Sequence, residues 1–329
     1  MMKKLLFLLA VLALCFSAMT VLASEESSLM ERASALYDAG DYEAAIPLLK
    51  EAAEKGDPAA QNKLGNCYFN GWGVEKNYEE AMKYYHLAAD QGNTDGIHNL
   101  GVSYYNGEGV DQDYEEALKY FRLAVDQDFA PSQVYLGYMY DYGLGIEQDY
   151  EQAVKYYQLA ADQGNAQGQI NLGAMYLYGQ GVEKDYEQSL KYFQLAAAQG
   201  SAMAQYNLAS IYYWGLGVDQ DYRKTMEYSQ LAADQGFIDA FNNIGWLYYK
   251  GEGIAQDYDE AVKYFKKGAE QGDRDAIFNL GMCYQDGTGV EKDIEKAAEL
   301  YQKALDAGYE PEEEEKARVE ELLGKGKER

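Results

Sequence analysis

Apolar and polar positions recur along this chain with a period of 36 residues, from about residue 57 to residue 308. In each period a leucine or isoleucine has a small residue four positions before it and a tyrosine four positions after it, as in Ala60, Leu64 and Tyr68. Steps of four place all three on one face of a helix, where the small residue lets a neighbouring helix approach closely. The pattern therefore predicts one such helix, helix A, in each of seven repeats.

A second helix, helix B, is predicted in every repeat after a fixed loop. The loop reads glycine-x-glycine followed by valine or isoleucine, as at Gly71 and Gly73. Glycine supplies the left-handed conformation that closes a helix. An aspartate with an acid or amide three residues later, as at Asp113, then predicts the start of helix B. We expect its packing face to consist of the positions of Tyr78, Ala81, Tyr84 and Ala88.

The two ends of the array depart from the period. At the beginning is the segment 24–56: its residues 29–56 match helix B in register, but their inter-helix loop is shorter and lacks the glycine pair. Residues 309–329 predict a charged helix from about residue 311 to residue 323, followed by a tail. Atypical end units that cover the last apolar faces are what a stacked repeat array requires, so both segments are predicted to be caps around the seven repeats of residues 57–308.

Residues 1–23 have the pattern of a signal peptide. A short basic start and an apolar stretch are followed by Val21 and Ala23 at the −3 and −1 positions of a cleavage site, which makes Ser24 the expected mature start. We therefore expect export, to a periplasm or out of the cell. The alternatives are a retained N-terminal anchor and a lipid anchor on Cys15, which lacks the small preceding residue of a lipobox.

The charge and the reactive residues exclude several functions. A net charge of −27 repels nucleic-acid phosphates and anionic bilayers. His86 and His98 lie on different helices, and neither HExxH nor GxSxG occurs, so no catalytic site is predicted. Cys67 and Cys283 occupy the same repeat column six repeats apart, too far for a disulfide, and are interpreted as two buried thiols. We expect no cofactor and no metal.

The pattern A…NLG..Y..G.GV..DY..A..YY..AA.QG resembles the Sel-one-like repeat, a relative of the tetratricopeptide repeat, over residues 29–308. The segment 24–56 looks more like a plain tetratricopeptide unit. The resemblance implies an all-α fold, a right-handed α/α superhelical solenoid of antiparallel helix pairs, and use as an adaptor or scaffold in bacterial envelope or host interactions. One branch of the family pairs two cysteines in each repeat and is linked to penicillin binding or β-lactam hydrolysis; this chain lacks those pairs.

Helical geometry and the resemblance together predict which positions face the concave, inner side of the array: 59, 62, 66, 69 and 70 with their 36-residue counterparts, here called the inner-face positions. Eleven are aromatic: Phe69, Tyr105, Tyr138, Tyr142, Tyr178, Tyr206, Tyr213, Trp214, Trp246, Tyr249 and Phe278. Asp95, Asp141, Asp239, Asp275 and Asp286 are acidic, and Lys250 is basic. His98 is interpreted as a solvent-exposed residue. An asparagine row along the edge, Asn99, Asn171, Asn207, Asn243 and Asn279, is expected to hold a ligand backbone or to bond neighbouring repeats.

These positions predict a non-enzymatic, monomeric scaffold that binds an extended peptide or protein, basic or rich in aromatics, through charge and cation–π contacts. The expected ligand-binding residues are Tyr138, Tyr142, Tyr178, Tyr206, Trp214, Trp246, Tyr249, Asn171, Asn207 and Asn243. The alternative is a binder of cell-wall saccharides that uses the same aromatics for stacking. A β-lactamase-like hydrolase is the weaker alternative. Neither nucleic acid nor membrane insertion after signal cleavage is expected.

Overall fold

The computed structural model describes residues 29–326, so the predicted signal peptide of residues 1–23 lies outside the described residues. Within 29–326 all regular secondary structure is helical, as the sequence predicts. The described residues up to Ala160 form one compact unit and those from Ala161 onwards form a second. No helix between residues 29 and 326 is both long and apolar enough to cross a membrane.

Each of the seven repeats contains two helices. Helix A of successive repeats is α3 (Pro58–Asn70), α5 (Thr94–Asn106), α7 (Ala130–Tyr142), α9 (Ala166–Tyr178), α11 (Ala202–Trp214), α13 (Ile238–Lys250) and α15 (Arg274–Asp286). Helix B is α4 (Tyr78–Asp90), α6 (Tyr114–Val125), α8 (Tyr150–Asp162), α10 (Tyr186–Ala198), α12 (Tyr222–Asp234), α14 (Tyr258–Glu270) and α16 (Ile294–Asp306). Before them lie α1 (29–38) and α2 (Tyr42–Glu54), and after them α17 (Glu313–Gly326). Within each unit, helices that follow one another along the chain pack on each other, which confirms the predicted solenoid of helix pairs.

The loop between the two helices uses its two glycines for different purposes. Gly71 has φ 76° and donates its N–H to the Cys67 carbonyl at 2.9 Å, which closes α3 in the left-handed conformation. A β-carbon on Gly73 would stand 2.8 Å from the carbonyl carbon of Tyr42, the first residue of α2. The absence of a side chain at Gly73 therefore lets the loop lie against the start of α2. Asn77 then begins α4, because its side chain accepts a hydrogen bond from the Glu80 N–H.

The buried ring of helix B is one residue further along than the sequence pattern predicts. Tyr85 is only 2% exposed, whereas Tyr84 is half-buried and stacks on Tyr68 with 5.8 Å between ring centroids. The stacked pair recurs in both units, for example between Tyr212 and Tyr228. Tyr84 is therefore on a packing face, as the sequence predicts, but the sequence missed Tyr85, whose ring is the more deeply buried of the two.

Helices at both ends cover apolar faces of the array. At the beginning, Leu29 and Ala33 of α1 are buried against α2 and α3. At the end, Val319 and Leu322 of α17 are buried in the cluster that contains Tyr301. Each end helix thus supplies the contacts that a further repeat would otherwise make.

Candidate functional site

A cavity of about 820 Å³ opens in the second unit, between α11, α13 and α15 and the segment that leads into α17. Five aromatic residues line it: Tyr206, Tyr213, Trp214, Trp246 and Tyr309. Five acidic residues also line it: Asp239, Asp273, Asp275, Glu312 and Glu315. Two basic residues, Lys250 and Arg274, complete the charged groups, so the lining is aromatic and predominantly negative. We call this space the α11–α15 cavity.

The two tryptophans of the cavity differ in how firmly they are held. Trp214 is 69% exposed and meets the Tyr213 ring edge-on, with 4.8 Å between centroids. Trp246 is half-buried and meets the Tyr249 ring edge-on at 5.2 Å. The Nζ of Lys250 lies 5.1 Å from the centroid of the Trp246 ring, a cation–π contact within the protein itself. Trp246 thus already has an ammonium group over its ring.

Asp273 is the least usual of the carboxylates that line the cavity. Its Oδ1 accepts hydrogen bonds from the N–H groups of Asp275 and Ala276 at the start of α15. Its Oδ2 is buried with no hydrogen-bond partner among the described residues. Burial, opposed only in part by the two backbone hydrogen bonds, raises the pKa of Asp273 to about 6. The pKa of Asp239 is raised too, first by burial and then by the charge of Asp275.

The segment before α17 closes one side of the cavity. Tyr309 stacks on Phe278, with 4.2 Å between ring centroids, and donates its hydroxyl to Glu315 Oε2 at 2.9 Å. The N–H of Glu312 donates to the same oxygen at 2.9 Å. Arg274 donates from Nη1 to the Gly308 carbonyl at 2.7 Å. The carboxylate of Glu315 and the guanidinium of Arg274 are thus held in place before any ligand arrives.

Most of the expected ligand-binding residues lie in the second unit, but not all of these line the cavity. Tyr206, Trp214, Trp246 and Asn243 line it. Tyr249 contacts Trp246, but neither Tyr249 nor Tyr178, which is 65% exposed, is part of the cavity lining. Neither Asn171 nor Asn207 lines it.

The asparagine row includes contacts between neighbouring repeats. Asn279 donates to Asn242 Oδ1 at 2.8 Å, and Asn99 donates to Asn62 Oδ1 at 2.8 Å. Asn171 accepts a hydrogen bond from Gln167 of its own helix at 2.8 Å. At Asn99 and Asn279, therefore, the amide connects adjacent helices A, which is the structural role the sequence left open.

In the first unit, Tyr138 and Tyr142 form an exposed aromatic pair. Their rings stack with 4.4 Å between centroids, and they are 38% and 58% exposed. The hydrogen bond between their hydroxyls, together with burial, raises the pKa of Tyr142 to about 12. Nearby Asp141 accepts the hydroxyl hydrogen bond of Tyr157 at 3.2 Å, so this inner-face acid is partly engaged by the core.

Some inner-face aromatics belong to the framework. Phe278 is 2% exposed, so its predicted place on the ligand surface was wrong. The interpretation of His98 as solvent-exposed was also wrong: its ring is partly buried among three aromatic rings, and its Nδ1 is 2.8 Å from Ser132 Oγ. Both residues stand at the position equivalent to Asn62, and each contacts an aromatic residue 31 positions further along the chain. The three such pairs are His98–Phe129, Tyr206–Phe237 and Phe278–Tyr309.

These pairs were detectable in the sequence. An aromatic residue or histidine at the position equivalent to Asn62 is accompanied by an aromatic residue at the position equivalent to Asn93, 31 residues later. Phe129 and Phe237 begin helices where other repeats have Asn, Asp or Ser, and neither makes a side-chain capping hydrogen bond. A lost cap costs about 1 kcal/mol, and the aromatic contact offsets that cost. Comparing the two repeat positions with each other shows that these residues vary together, which the residue types at either position alone do not show.

Two features of many catalytic sites, a metal cluster and an activated cysteine, are not found among the described residues. Within 29–326, no cluster of three or more His, Cys, Asp or Glu residues is arranged to hold a metal ion. Burial raises the pKa of the Cys67 thiol to about 11 and that of Cys283 to about 12, the opposite of what a nucleophilic cysteine needs. Both cysteines are buried and free, as the sequence predicts.

Comparison with solved structures relates the chain to other repeat proteins. It is 34% identical to c5321, a protective antigen present in uropathogenic Escherichia coli strains, with a TM-score of 0.57 over 80% of this chain and 64% of c5321. It therefore spans less than two thirds of that relative. A Sel1 repeat protein from Oxalobacter formigenes is 32% identical, with a TM-score of 0.67 over 73% of this chain and 96% of that protein. A comparison with curated proteins gave no match.

Eight consecutive segments match the family model of the Sel1 repeat: 32–57, 58–93, 94–129, 130–165, 166–201, 202–237, 239–273 and 274–309. The first of them falls within the segment predicted as the N-terminal cap. The matches cover most of the chain, and both relatives above share the repeat fold. The resemblance found in the sequence is thereby confirmed: this chain belongs to the Sel1 repeat family, whose members generally serve as non-catalytic scaffolds for protein interactions.

Proposed function

We propose that this protein is an exported interaction scaffold whose α11–α15 cavity binds a peptide segment with basic and aromatic side chains. One observation carries the proposal: exposed tryptophan and five carboxylates line the same cavity of about 820 Å³. Tryptophan and tyrosine offer large, rigid contact areas with a low entropy cost on binding, and they are enriched at sites that dominate protein interactions. Export rests on the pattern of residues 1–23 alone.

The charges favour a basic ligand. The carboxylates of Asp239 and Asp275 repel each other when both are ionised. Asp273 adds a carboxylate oxygen without a hydrogen-bond partner among the described residues. A lysine or arginine side chain brought to these carboxylates would relieve that repulsion. The net charge of −27 attracts such a ligand over a longer distance, which raises the association rate at low salt.

The protein's own Lys250 illustrates the second contact that the ligand would make. Its Nζ lies over the Trp246 ring, so the cavity wall already accommodates an ammonium group. A ligand lysine or arginine over the exposed Trp214 would gain a contact of the same kind, about 0.5–1 kcal/mol at an exposed site. Aromatic and charge contacts together define the expected ligand as cationic and partly aromatic.

Trp214 and Tyr178 provide a matched test, because they occupy the same repeat column and are 69% and 65% exposed, but only Trp214 lines the cavity. The probe is the synthetic peptide acetyl-Ala-Lys-Phe-Lys-Ala-amide, titrated by calorimetry into the protein. We expect Trp214→Ala to weaken binding about tenfold, which corresponds to about 1.4 kcal/mol, and Tyr178→Ala to leave it unchanged. Raising the salt concentration should weaken binding as well.

Three results would contradict the proposal. Equal losses in the two variants would place binding outside the cavity. Equal affinity for the Glu-Phe-Glu counterpart of the peptide would rule out recognition of positive charge. Displacement of the peptide by cell-wall saccharides, with no dependence on salt, would replace the peptide with a glycan as the ligand.

A further inference from the structure

One aromatic ring of the α11–α15 cavity is covered by a cation of the protein itself. Lys250 is the one lysine or arginine among the inner-face positions of the seven repeats. It follows Trp246 by four residues on α13, its side chain is exposed, and its Nζ lies 5.1 Å from the centroid of the Trp246 ring. Both residues line the cavity. The contact proposed for a ligand cation is therefore already made within the protein.

The same two positions of another repeat show a comparable arrangement. Tyr138 and Tyr142 of α7 are the counterparts of Trp246 and Lys250. The later side chain again covers the earlier one, because the two tyrosine rings stack with 4.4 Å between centroids. On α13 the covering group is an ammonium group instead of a ring. Lys250 thus occupies a face of Trp246 that would otherwise be open to a ligand.

Little else holds Lys250 in this place. Its Nζ makes neither a hydrogen bond nor an ion pair with another described residue, although five acidic residues line the same cavity. Asp239 lies 11 residues earlier on α13, which is about 16 Å along the helix axis and beyond the reach of the lysine. A cation–π contact at an exposed site favours the covered state by a factor of about two to five. A ligand can therefore displace Lys250 with a small loss of affinity.

We propose that Lys250 is an internal competitor for the ring of Trp246 and that an arginine side chain of the ligand displaces it. The inference rests on the proposed function and specifies which cation the cavity selects. A ligand lysine would only exchange one ammonium group for another on the ring. A guanidinium group is planar, is more weakly hydrated and stacks on aromatic faces, so it gains more from the ring than Lys250 loses. Competition by Lys250 thus makes arginine the favoured ligand residue.

A comparison of two ligands tests the selection on the unaltered protein. The probes are acetyl-Ala-Arg-Phe-Arg-Ala-amide and acetyl-Ala-Lys-Phe-Lys-Ala-amide, which have equal charge, and calorimetry measures their affinities. We expect the arginine peptide to bind at least about threefold more tightly. Equal affinities would overturn the inference and leave the basic-peptide function standing. Absence of binding by both peptides would overturn both proposals.

Two substitutions of Lys250 distinguish competition from a simple effect of charge. Lys250→Met removes the ammonium group, so the arginine peptide should bind about two- to fivefold more tightly. Lys250→Arg keeps the charge but holds the ring more firmly, so the same peptide should bind about twofold more weakly. Unchanged or weaker binding by Lys250→Met would overturn the competition. Unchanged binding by Lys250→Arg would attribute the effect of the methionine variant to charge and overturn it as well.

Lys224 provides the matched control. It is exposed, belongs to the same unit and has its Nζ 4.5 Å from the centroid of the Tyr212 ring, but it does not line the cavity. Lys224→Met removes the same charge and the same kind of contact, so the affinity for the arginine peptide should stay unchanged. A gain equal to that of Lys250→Met would show that net charge causes both, against the proposal.

Nuclear magnetic resonance of lysine side chains follows the displacement directly. In the free protein the ring current of Trp246 should shift the ε-methylene signal of Lys250 upfield, and Lys250→Met identifies this signal by its loss. Saturation with the arginine peptide should return the signal to the range of exposed lysines. An upfield shift that persists at saturation would show that Lys250 stays on the ring, and would overturn the inference.

Discussion

The ring of Tyr85 lies against the backbone of Gly65 so closely that a β-carbon at Gly65 would stand 2.6 Å from both Cδ1 and Cε1 of the ring. Contacts this short do not occur, so the small residue and the ring are required together. The same relationship recurs along both units and fails only at Ala209 and Ser229 among the seven repeats. It sets the packing of the two helices of a repeat.

Gly65→Ala is expected to destabilise the first unit by about 1–3 kcal/mol, because the new methyl must displace a buried ring. Denaturant unfolding followed by circular dichroism measures the effect. Ala209→Gly is the matched control in the same column: it meets no ring, so only the lower helix propensity of glycine acts, about 1 kcal/mol. A larger loss for the control than for Gly65→Ala would contradict the steric argument.

Asp273→Asn is expected to stabilise the second unit at pH 7 by about 1–2 kcal/mol after screening by solvent. Because the pKa of Asp273 is raised from 3.8 to about 6, the folded protein binds more protons than the unfolded chain between those values. Stability that is present below pH 3.8 is therefore lost as pH rises through 6. Asparagine avoids this loss and keeps the cap, as Asn93 and Asn165 do in the same column.

Hydrogen exchange of α15 at pH 4 and pH 7 checks this prediction. The protection of the variant should exceed that of the wild type at pH 7 and match it near pH 4. The variant should also bind the Lys-Phe-Lys peptide more weakly, because the substitution removes one of the carboxylates of the protein that attract the lysines of the peptide. Greater stability together with unchanged affinity would show that Asp273 does not contact the ligand.

Acid should destabilise the helices around His98. Burial lowers the pKa of His98 from 6.5 to about 4, so between these values the unfolded chain binds more protons than the folded one. The stability present above pH 6.5 is lost as pH falls towards 4, by about 2 kcal/mol at pH 5. His98→Phe, which introduces the residue that Phe278 provides in the same column, should remove this dependence. Hydrogen exchange of α5 and α7 at pH 7 and pH 5 measures it, and an equal acid loss in the variant would exclude His98 as its cause.

Two inner-face aromatics should respond very differently to truncation. The ring of Phe278 is 2% exposed and that of Trp214 is 69% exposed. Phe278→Ala should therefore cost about 3–5 kcal/mol of stability, because it leaves a cavity in the core. Trp214→Ala should change stability by only about 0.5 kcal/mol, as is usual for a surface substitution. Thermal melting of both variants distinguishes framework from surface. A large loss for Trp214→Ala would assign that residue to the framework instead of the ligand site.

Cys67 and Cys283 should resist alkylation in the native protein. Both thiols are buried, and burial raises their pKa values to about 11 and about 12, so almost no thiolate exists at pH 8. Mass spectrometry after iodoacetamide treatment should find them unmodified until denaturant is added. Modification of either thiol under native conditions would reveal local opening of its helix pair.

The sequence by itself determined the repeat period, the two helices of each repeat, the glycine loop and the family. These features depend on residues close together in the chain: apolar residues in steps of four, caps, and glycines that close helices. Each is a local preference repeated seven times, so repetition strengthens a signal that would be weak in a single copy.

Only the tertiary structure decided which ring of helix B enters the core. Tyr84 and Tyr85 differ by about 100° around the helix, and the apolar arc is wide enough for either. The direction from which helix A approaches selects Tyr85, because Gly65 has no side chain to keep its ring away. Likewise, His98 and Phe278 were expected on a surface and are instead packed on the aromatic side chains of Phe129 and Tyr309, each 31 positions further along the chain.

The location of the cavity was also decided in three dimensions. It depends on side chains from α11, α13, α15 and the segment that leads into α17, which are far apart in the sequence. The volume of the cavity depends on the sizes of side chains from several helices that pack together. The sequence pattern of any one helix therefore does not predict it.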